Sequence, residues 1–129
     1  MALSTDKIGR RVLVGKNVCH RCKYDENFDG SLRARIAEMP QSQYKTALQW
    51  VQRALSSSYG GSKLSPGKAK KLHDPLAFAT LLDENVCVLR EVSVGRKGGH
   101  WGSVLCDGTR TFAAVDYSSD SFLDSLFAR

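Results

Sequence analysis

His73 and Asp74 are the two side chains of this sequence best suited to acid–base or metal chemistry. They stand in the stretch Lys70-Lys71-Leu72-His73-Asp74-Pro75-Leu76-Ala77-Phe78-Ala79-Thr80-Leu81-Leu82. Asp74 is a good N-cap residue, since its carboxylate can accept from the free N–H groups of a first helical turn. Pro75 then takes the first helical position, where a missing N–H costs nothing. Leu76, Ala77, Phe78, Ala79, Leu81 and Leu82 are apolar nearly all round, so the pattern predicts a short buried helix. His73 lies just before the cap, at the positive end of the helix dipole. A His beside an Asp at a buried helix start can serve as an acid–base pair or as metal ligands. On local pattern alone the plainer reading leads: Asp74 caps and His73 fills a turn.

Three other groupings invite chemistry less strongly. Cys19-His20-Arg21-Cys22 has the C-x-x-C spacing of zinc and redox motifs. A structural zinc site needs four ligands, and Cys87 and Cys106 offer no second close pair. The motif also follows a predicted strand, whereas a thioredoxin-like pair opens a helix. Two reduced thiols are the expectation. Asp25, Glu26, Asn27 and Asp29 suggest calcium only superficially, because the spacing and closing Glu of an EF-hand are missing. His100 falls in Gly98-Gly99-His100-Trp101-Gly102 and reads as a hairpin residue, with nothing but the neighbouring indole to suggest binding.

Elements must position these groups. Arg10 or Arg11 to Val18 reads as a first strand, and Val12-Leu13-Val14 is continuous enough to be buried on both faces. Lys23 to Gly30 is a polar connection. Ser31 to Met39 is a short helix that Pro40 stops. A second helix begins near Ser42, with Tyr44, Leu48, Val51 and Leu55 at helical spacing and Trp50 beside them. These aromatic residues are expected in the core. Residues 56–72 form a Gly/Ser/Pro/Lys-rich segment, long enough to be a flexible flap. After the His73–Leu82 helix, Asn85 to Val94 alternates. It places Val86, Val88, Val92 and Val94 on one face and Cys87, Leu89, Glu91 and Ser93 on the other. Arg96-Lys97-Gly98-Gly99 is a turn, and Trp101 to Leu105 a second strand. Asp107-Gly108 is a hairpin signal, and Thr111 to Val115 a third strand. Ser118 or Ser119 caps a last helix, with Asp120 in its first turn.

The order of these elements resembles a known family. His73-Asp74-Pro75-Leu76-Ala77, a short apolar helix and Leu82-Asp83 look like the C-terminal motif of the inosine-uridine preferring nucleoside hydrolases. Upstream, Val12-Leu13-Val14-Gly15-Lys16-Asn17-Val18-Cys19-His20 resembles that family's hydrophobic strand ending in a polar-x-x-His sequence. Downstream, strands and a terminal helix follow in the family's order. The likeness runs from about Arg11 onward and covers less than half of a complete family member.

The resemblance implies an α/β fold, a partial Rossmann-like nucleoside hydrolase fold with a small C-terminal β meander. It implies cleavage of the N-glycosidic bond of ribonucleosides. By the resemblance His73 is catalytic and substrate-binding, lying near the base and able to donate a proton to it. Asp74 is a calcium ligand, and Tyr59 is the flap aromatic that covers the base. Calcium takes six to eight oxygens, and the Asp-x-Asp-x-x-x-Asp-Asp sequence that supplies most of them in the family occurs nowhere here. The expectation is therefore a C-terminal part, inactive alone. The alternative is a partner or ribose-binding module that forms a homo-oligomer or docks onto a full-length homologue.

Composition bounds these readings. A chain of 129 residues, 42% hydrophobic and 25% charged, fits one globular domain. No apolar run approaches a membrane span and no secretory h-region is visible, so a soluble cytoplasmic protein without membrane partners is expected. The net charge of +6 suggests a nucleic-acid binder as a third reading. Its charges are scattered, with no basic stripe interleaved with aromatics, and that reading ranks last.

Overall fold

In a computed structural model, residues 7–59 and 69–127 are described, the side chains of Ser58 and Tyr59 excepted. The fold is mixed α/β. The chain divides into two compact units, one from Met1–Cys19 with His73–Arg129 and one from His20–Leu72.

The first unit is built on a four-stranded sheet in the order β1-β6-β4-β5. Its strands are β1 (Arg11–Leu13), β4 (Cys87–Lys97), β5 (His100–Leu105) and β6 (Thr111–Tyr117). β1 runs parallel to β6, with Arg11 opposite Thr111 and Leu13 opposite Ala113. The first strand is much shorter than the expected run to Val18. The chain leaves the sheet after Leu13, and the Gly15 carbonyl accepts from the N–H groups of Val18 and Cys19 at 3.1 and 3.0 Å. Those bonds wind Lys16–Cys19 into a single helical turn, α1. The Asn17 amide fastens it to β6 by donating to the Ala114 carbonyl at 3.0 Å.

β4 is long and has different neighbours along its two halves. Cys87–Glu91 pairs with β6 and Val92–Lys97 with β5, both antiparallel. The expected meander, with the second and third strands joined through Asp107-Gly108, is therefore corrected. β5 and β6 lie on opposite edges of β4, and the connection between them crosses it. Gly108 and Arg110 take positive φ (81° and 57°) to make the crossing. Three contacts pin it down: Thr109 Oγ1 donates to the Val92 carbonyl at 2.7 Å, the Arg110 N–H to Glu91 Oε1 at 2.6 Å, and the Cys106 N–H to the Glu91 carbonyl at 3.2 Å. The expected alternation along β4 also fails. Opposite Val88 and Leu89 the register jumps from Asp116 to Ala114, a bulge on β6; along β4 itself the inward-facing phase shifts by one residue at Val92, where β5 replaces β6 as the neighbour. Val88 is left 46% exposed while Val92 is buried.

The hairpin between β4 and β5 turns through Gly98 and Gly99, both at positive φ, as a two-residue primed turn requires. Three helices flank the sheet: α1, α4 (His73–Leu82) and α5 (Ser119–Ser125). Ser118 caps α5 by accepting from the Ser121 N–H at 3.1 Å, and Asp120 lies in its first turn. The core of this unit joins Val18, Leu76, Val86, Val92, Ala114 and Phe122.

The second unit holds α2 (Glu26–Glu38), α3 (Gln43–Tyr59) and the two-stranded antiparallel pair β2 (Lys23–Tyr24) and β3 (Lys70–Lys71). α2 begins five residues before the expected helix. The polar run read as a connection, Lys23 to Gly30, supplies β2 and then the start of α2, with Asp25 as N-cap accepting from the Phe28 N–H at 2.9 Å. α3 extends to Tyr59, so Ser56 to Tyr59 is helical and not part of a flap. On α3, Tyr44, Trp50 and Val51 are exposed, Trp50 by 69%, contrary to the core placement expected of the aromatics. α3 instead buries Gln52.

Gln52 explains the difference. Its amide donates to Asp29 Oδ1 at 2.6 Å, and the Tyr24 hydroxyl donates to the same oxygen. Arg33 Nε donates to Asp29 Oδ2 at 2.6 Å and Arg33 Nη2 to Ser56 Oγ at 3.1 Å. A polar network thus ties β2, α2 and α3 together. Desolvation pushes the Asp29 carboxyl up, but the bonds from Tyr24, Gln52 and Arg33 outweigh it and hold Asp29 below its ordinary value. Burial, and then the bond to Asp29, push the Tyr24 phenol up. A lowered carboxylate pKa stabilises the fold above the unfolded value and loses that contribution as pH falls through the folded one. Urea unfolding of the Asp29→Ala protein is expected to show a loss of about 2–3 kcal/mol, because two buried donors lose their acceptor. Tyr24→Phe should cost less. Wild type should lose stability on acidification below the ordinary carboxylate range, and Asp29→Asn should lack that component.

Candidate functional site

His73 and Asp74 open α4. The helix includes His73 itself, so Asp74 lies within the first turn and does not cap it. Its carboxylate still meets the positive end of the helix dipole, and Pro75 still occupies a position whose N–H has no intrahelical acceptor.

Neighbouring positions on an α-helix diverge by about 100°, and this separates the pair. His73 aligns with Leu76 and Thr80, three and seven residues on, and those two are buried. It is accordingly half-buried, with Nε2 enclosed. Asp74 aligns with Phe78 and Leu81, which are 62% and 78% exposed, and is itself exposed. The helix is therefore not buried all round as its composition predicts. Leu76, Ala79 and Thr80 face the unit's core, and Phe78, Leu81 and Leu82 form an apolar outer surface.

Thr80 fixes the inner face. Its hydroxyl donates to the Leu76 carbonyl at 2.8 Å and lies 3.2 Å from Cys87 Sγ. Burial pushes the Cys87 thiol up, against the opposing bond from Thr80, and the charge of Asp116 adds to the rise. The Cys19 thiol donates to the Val14 carbonyl at 3.4 Å. Burial raises its pKa too, with smaller contributions from Cys87 and Asp74. A cleft of about 320 Å³ runs between β1 and the second half of α4, lined by Val12, Val14, Ala77, Thr80, Leu81 and Glu84. Neither His73 nor Asp74 lines it.

The remaining candidates fall elsewhere. Tyr59 ends α3; its side chain and residues 60–68, which hold most of the expected flap, lie outside the described residues. Lys70 and Lys71, also assigned to that flap, form β3 opposite Tyr24 and Lys23. His100 is exposed at the start of β5, opposite Lys97. None of Cys19, Cys22, Cys87 and Cys106 is in a disulfide, and of the four only Cys106 is exposed.

Calcium does not fit the described residues. Among the described residues no group of three or more His, Cys, Asp or Glu side chains is arranged to hold a metal ion. Asp74 alone offers at most two of the six to eight oxygens that calcium takes. No described helix is long and apolar enough to cross a membrane.

Sequence reasoning missed Glu91, Asn17 and the Asp29 network. The spacing of Asp29 and Arg33, four apart on one helix, was the available signal for the last. No family model matches the chain, and neither does any curated protein.

Thiol chemistry tests this geometry. Only a thiolate attacks an alkylating reagent. Cys106 is expected to be modified in the native protein at neutral pH, and Cys19, Cys22 and Cys87 only after unfolding. Mass spectrometry of peptides from the native, labelled protein reads the outcome directly.

Proposed function

We propose that this chain is the C-terminal part of a nucleoside hydrolase with a Rossmann-like α/β core. In this reading it contributes the leaving-group side of a site that cleaves the N-glycosidic bond of ribonucleosides. The observation that carries the reading is the position of His73 and Asp74 in the first turn of α4, between a strand that pairs parallel and an antiparallel β region closed by α5. That order matches the family resemblance of the sequence.

In this reading water attacks the sugar carbon as the bond to the base breaks. The departing base then needs a proton or a hydrogen bond. His73 supplies it from its half-buried place at the start of the helix. Asp74 contributes one carboxylate to the grip on the ribose, and the other groups needed come from a companion segment. No reaction step passes through calcium on the described residues, because they cannot hold it.

The reading predicts that the purified chain releases no base from inosine or uridine, with or without calcium. Joined to the N-terminal portion of an active nucleoside hydrolase, residues 11–127 should support calcium-dependent release of hypoxanthine from inosine. In that chimera His73→Ala should lower kcat by about 10²- to 10⁴-fold, the range of a general acid, and Asp74→Asn should abolish the calcium response. A folded chimera that releases no base, or one indifferent to both substitutions, would exclude the reading.

The second reading, a non-catalytic module that docks onto a homologue, is favoured by a different observation: the outer surface of α4, where Phe78, Leu81 and Leu82 are 62–78% exposed.

A further inference from the structure

Every residue of β5 is exposed, and Trp101, Val104 and Leu105 are exposed by 56%, 68% and 77%. β5 ends the sheet order, so among the described residues its outer edge has no neighbouring strand. One bond fixes which groups line that edge. The Cys106 N–H donates to the Glu91 carbonyl, extending by one pair the regular register from Lys97–His100 to Val92–Leu105. Hydrogen-bonded and non-bonded pairs alternate in an antiparallel ladder. His100, Gly102 and Val104 therefore turn their backbone groups toward β4, and Trp101, Ser103 and Leu105 turn theirs outward.

Edges left open in soluble proteins are usually protected by charge, proline or a bulge. Trp101-Gly102-Ser103-Val104-Leu105 has none of these. We propose that β5 pairs antiparallel with β5 of a second copy of this chain, about a twofold axis at Ser103.

The sequence selects this register. With the axis at Ser103, the outward backbone groups of Trp101 face those of the second copy's Leu105, and Ser103 faces itself. Paired residues share a face, so each indole lies beside a leucine, and the small Ser103 stands where two identical side chains must meet. On the other face Val104 stands opposite the second copy's Gly102. A Cβ added at Gly102 would meet nothing within 4 Å, which leaves room for the valine methyls. An axis at Gly102 would instead set Trp101 against Ser103 and Val104 against His100, losing both apolar matches. The basic hairpin tips, Arg96 and Lys97, fall at opposite ends of the pair, so the net charge of +6 on each chain is not concentrated at the contact. The assembly is isologous and closed, with one sheet running through both copies.

Sedimentation velocity on the whole chain, up to about 100 µM to cover weak dimers, is the first test. The mass should rise to that of a dimer with concentration. Ser103→Lys sets two ammonium groups against each other on the axis. It should give monomer throughout with an unchanged far-ultraviolet circular dichroism spectrum. Trp101→Ser should raise the dissociation constant roughly tenfold. In a Cys106→Ser background, Ser103→Cys should cross-link to itself under mild oxidation. Monomer across the range, a dimer that survives Ser103→Lys, or failure of Ser103→Cys to cross-link would each overturn the proposal. The last of these remains decisive if Ser103→Lys does not fold.

Discussion

The sheet of the first unit depends on one carboxylate. Glu91 lies where β4 exchanges one neighbour for the other, and its side chain accepts from the Arg110 N–H. That bond, then those from Gly108 and Thr109, hold the Glu91 carboxyl below its ordinary value, with desolvation opposing them. With the bonds from Thr109 Oγ1 to the Val92 carbonyl and from the Cys106 N–H to the Glu91 carbonyl, this anchor holds the Cys106–Arg110 connection across β4 and so delivers β6 to the edge opposite β5. The Arg110 carbonyl in turn accepts from the Arg11 N–H at 2.9 Å, so the crossing that Glu91 holds also receives β1. The parallel pair, α1 and the inner face of α4 all follow from that placement.

The candidate site shows how helical geometry divides two adjacent side chains between different surroundings. His73 shares the inward line of Leu76 and Thr80, and Asp74 the outward line of Phe78 and Leu81. A half-enclosed imidazole and an exposed carboxylate thus stand on neighbouring residues of one helical turn. The exposed apolar line beyond Asp74 is the same feature seen from outside. A helix with apolar residues on every side is expected between two layers, and the described residues supply only one.

Much of the architecture was legible in the sequence because local chemistry and tertiary structure agree there. α4, α5 with its Ser118 cap, α3, the Gly98-Gly99 turn and β5 all lie close to where periodicity and turn residues place them. The failures come from interactions between distant residues. The first strand reads as long because Val12-Leu13-Val14 is apolar, but Gly15 and the Asn17 bond to Ala114 end it. β4 reads as regular alternation because the change of neighbour at Val92 leaves no mark in its own sequence. The hairpin signal at Asp107-Gly108 is a real turn, yet Glu91, far upstream, decides which edge it leads to. Trp50 reads as core by spacing, whereas the buried position goes to Gln52, whose partner Asp29 lies on another helix. For the site, the sequence pointed to His73 and Asp74 but gave no sign that they diverge.

β1 and β6 are separated by about a hundred residues, and the whole of the second unit lies between them in the chain. At ribosomal rates of about 5–20 residues per second, Val12 and Leu13 leave the ribosome some 5–20 s before the strand that pairs with them. The second unit, continuous from His20 to Leu72, can complete its Asp29 network in that interval. The first unit cannot close until Thr111–Tyr117 emerges. Assembly therefore has an order imposed by connectivity, in which the inserted unit comes first and the sheet that frames α4 comes last.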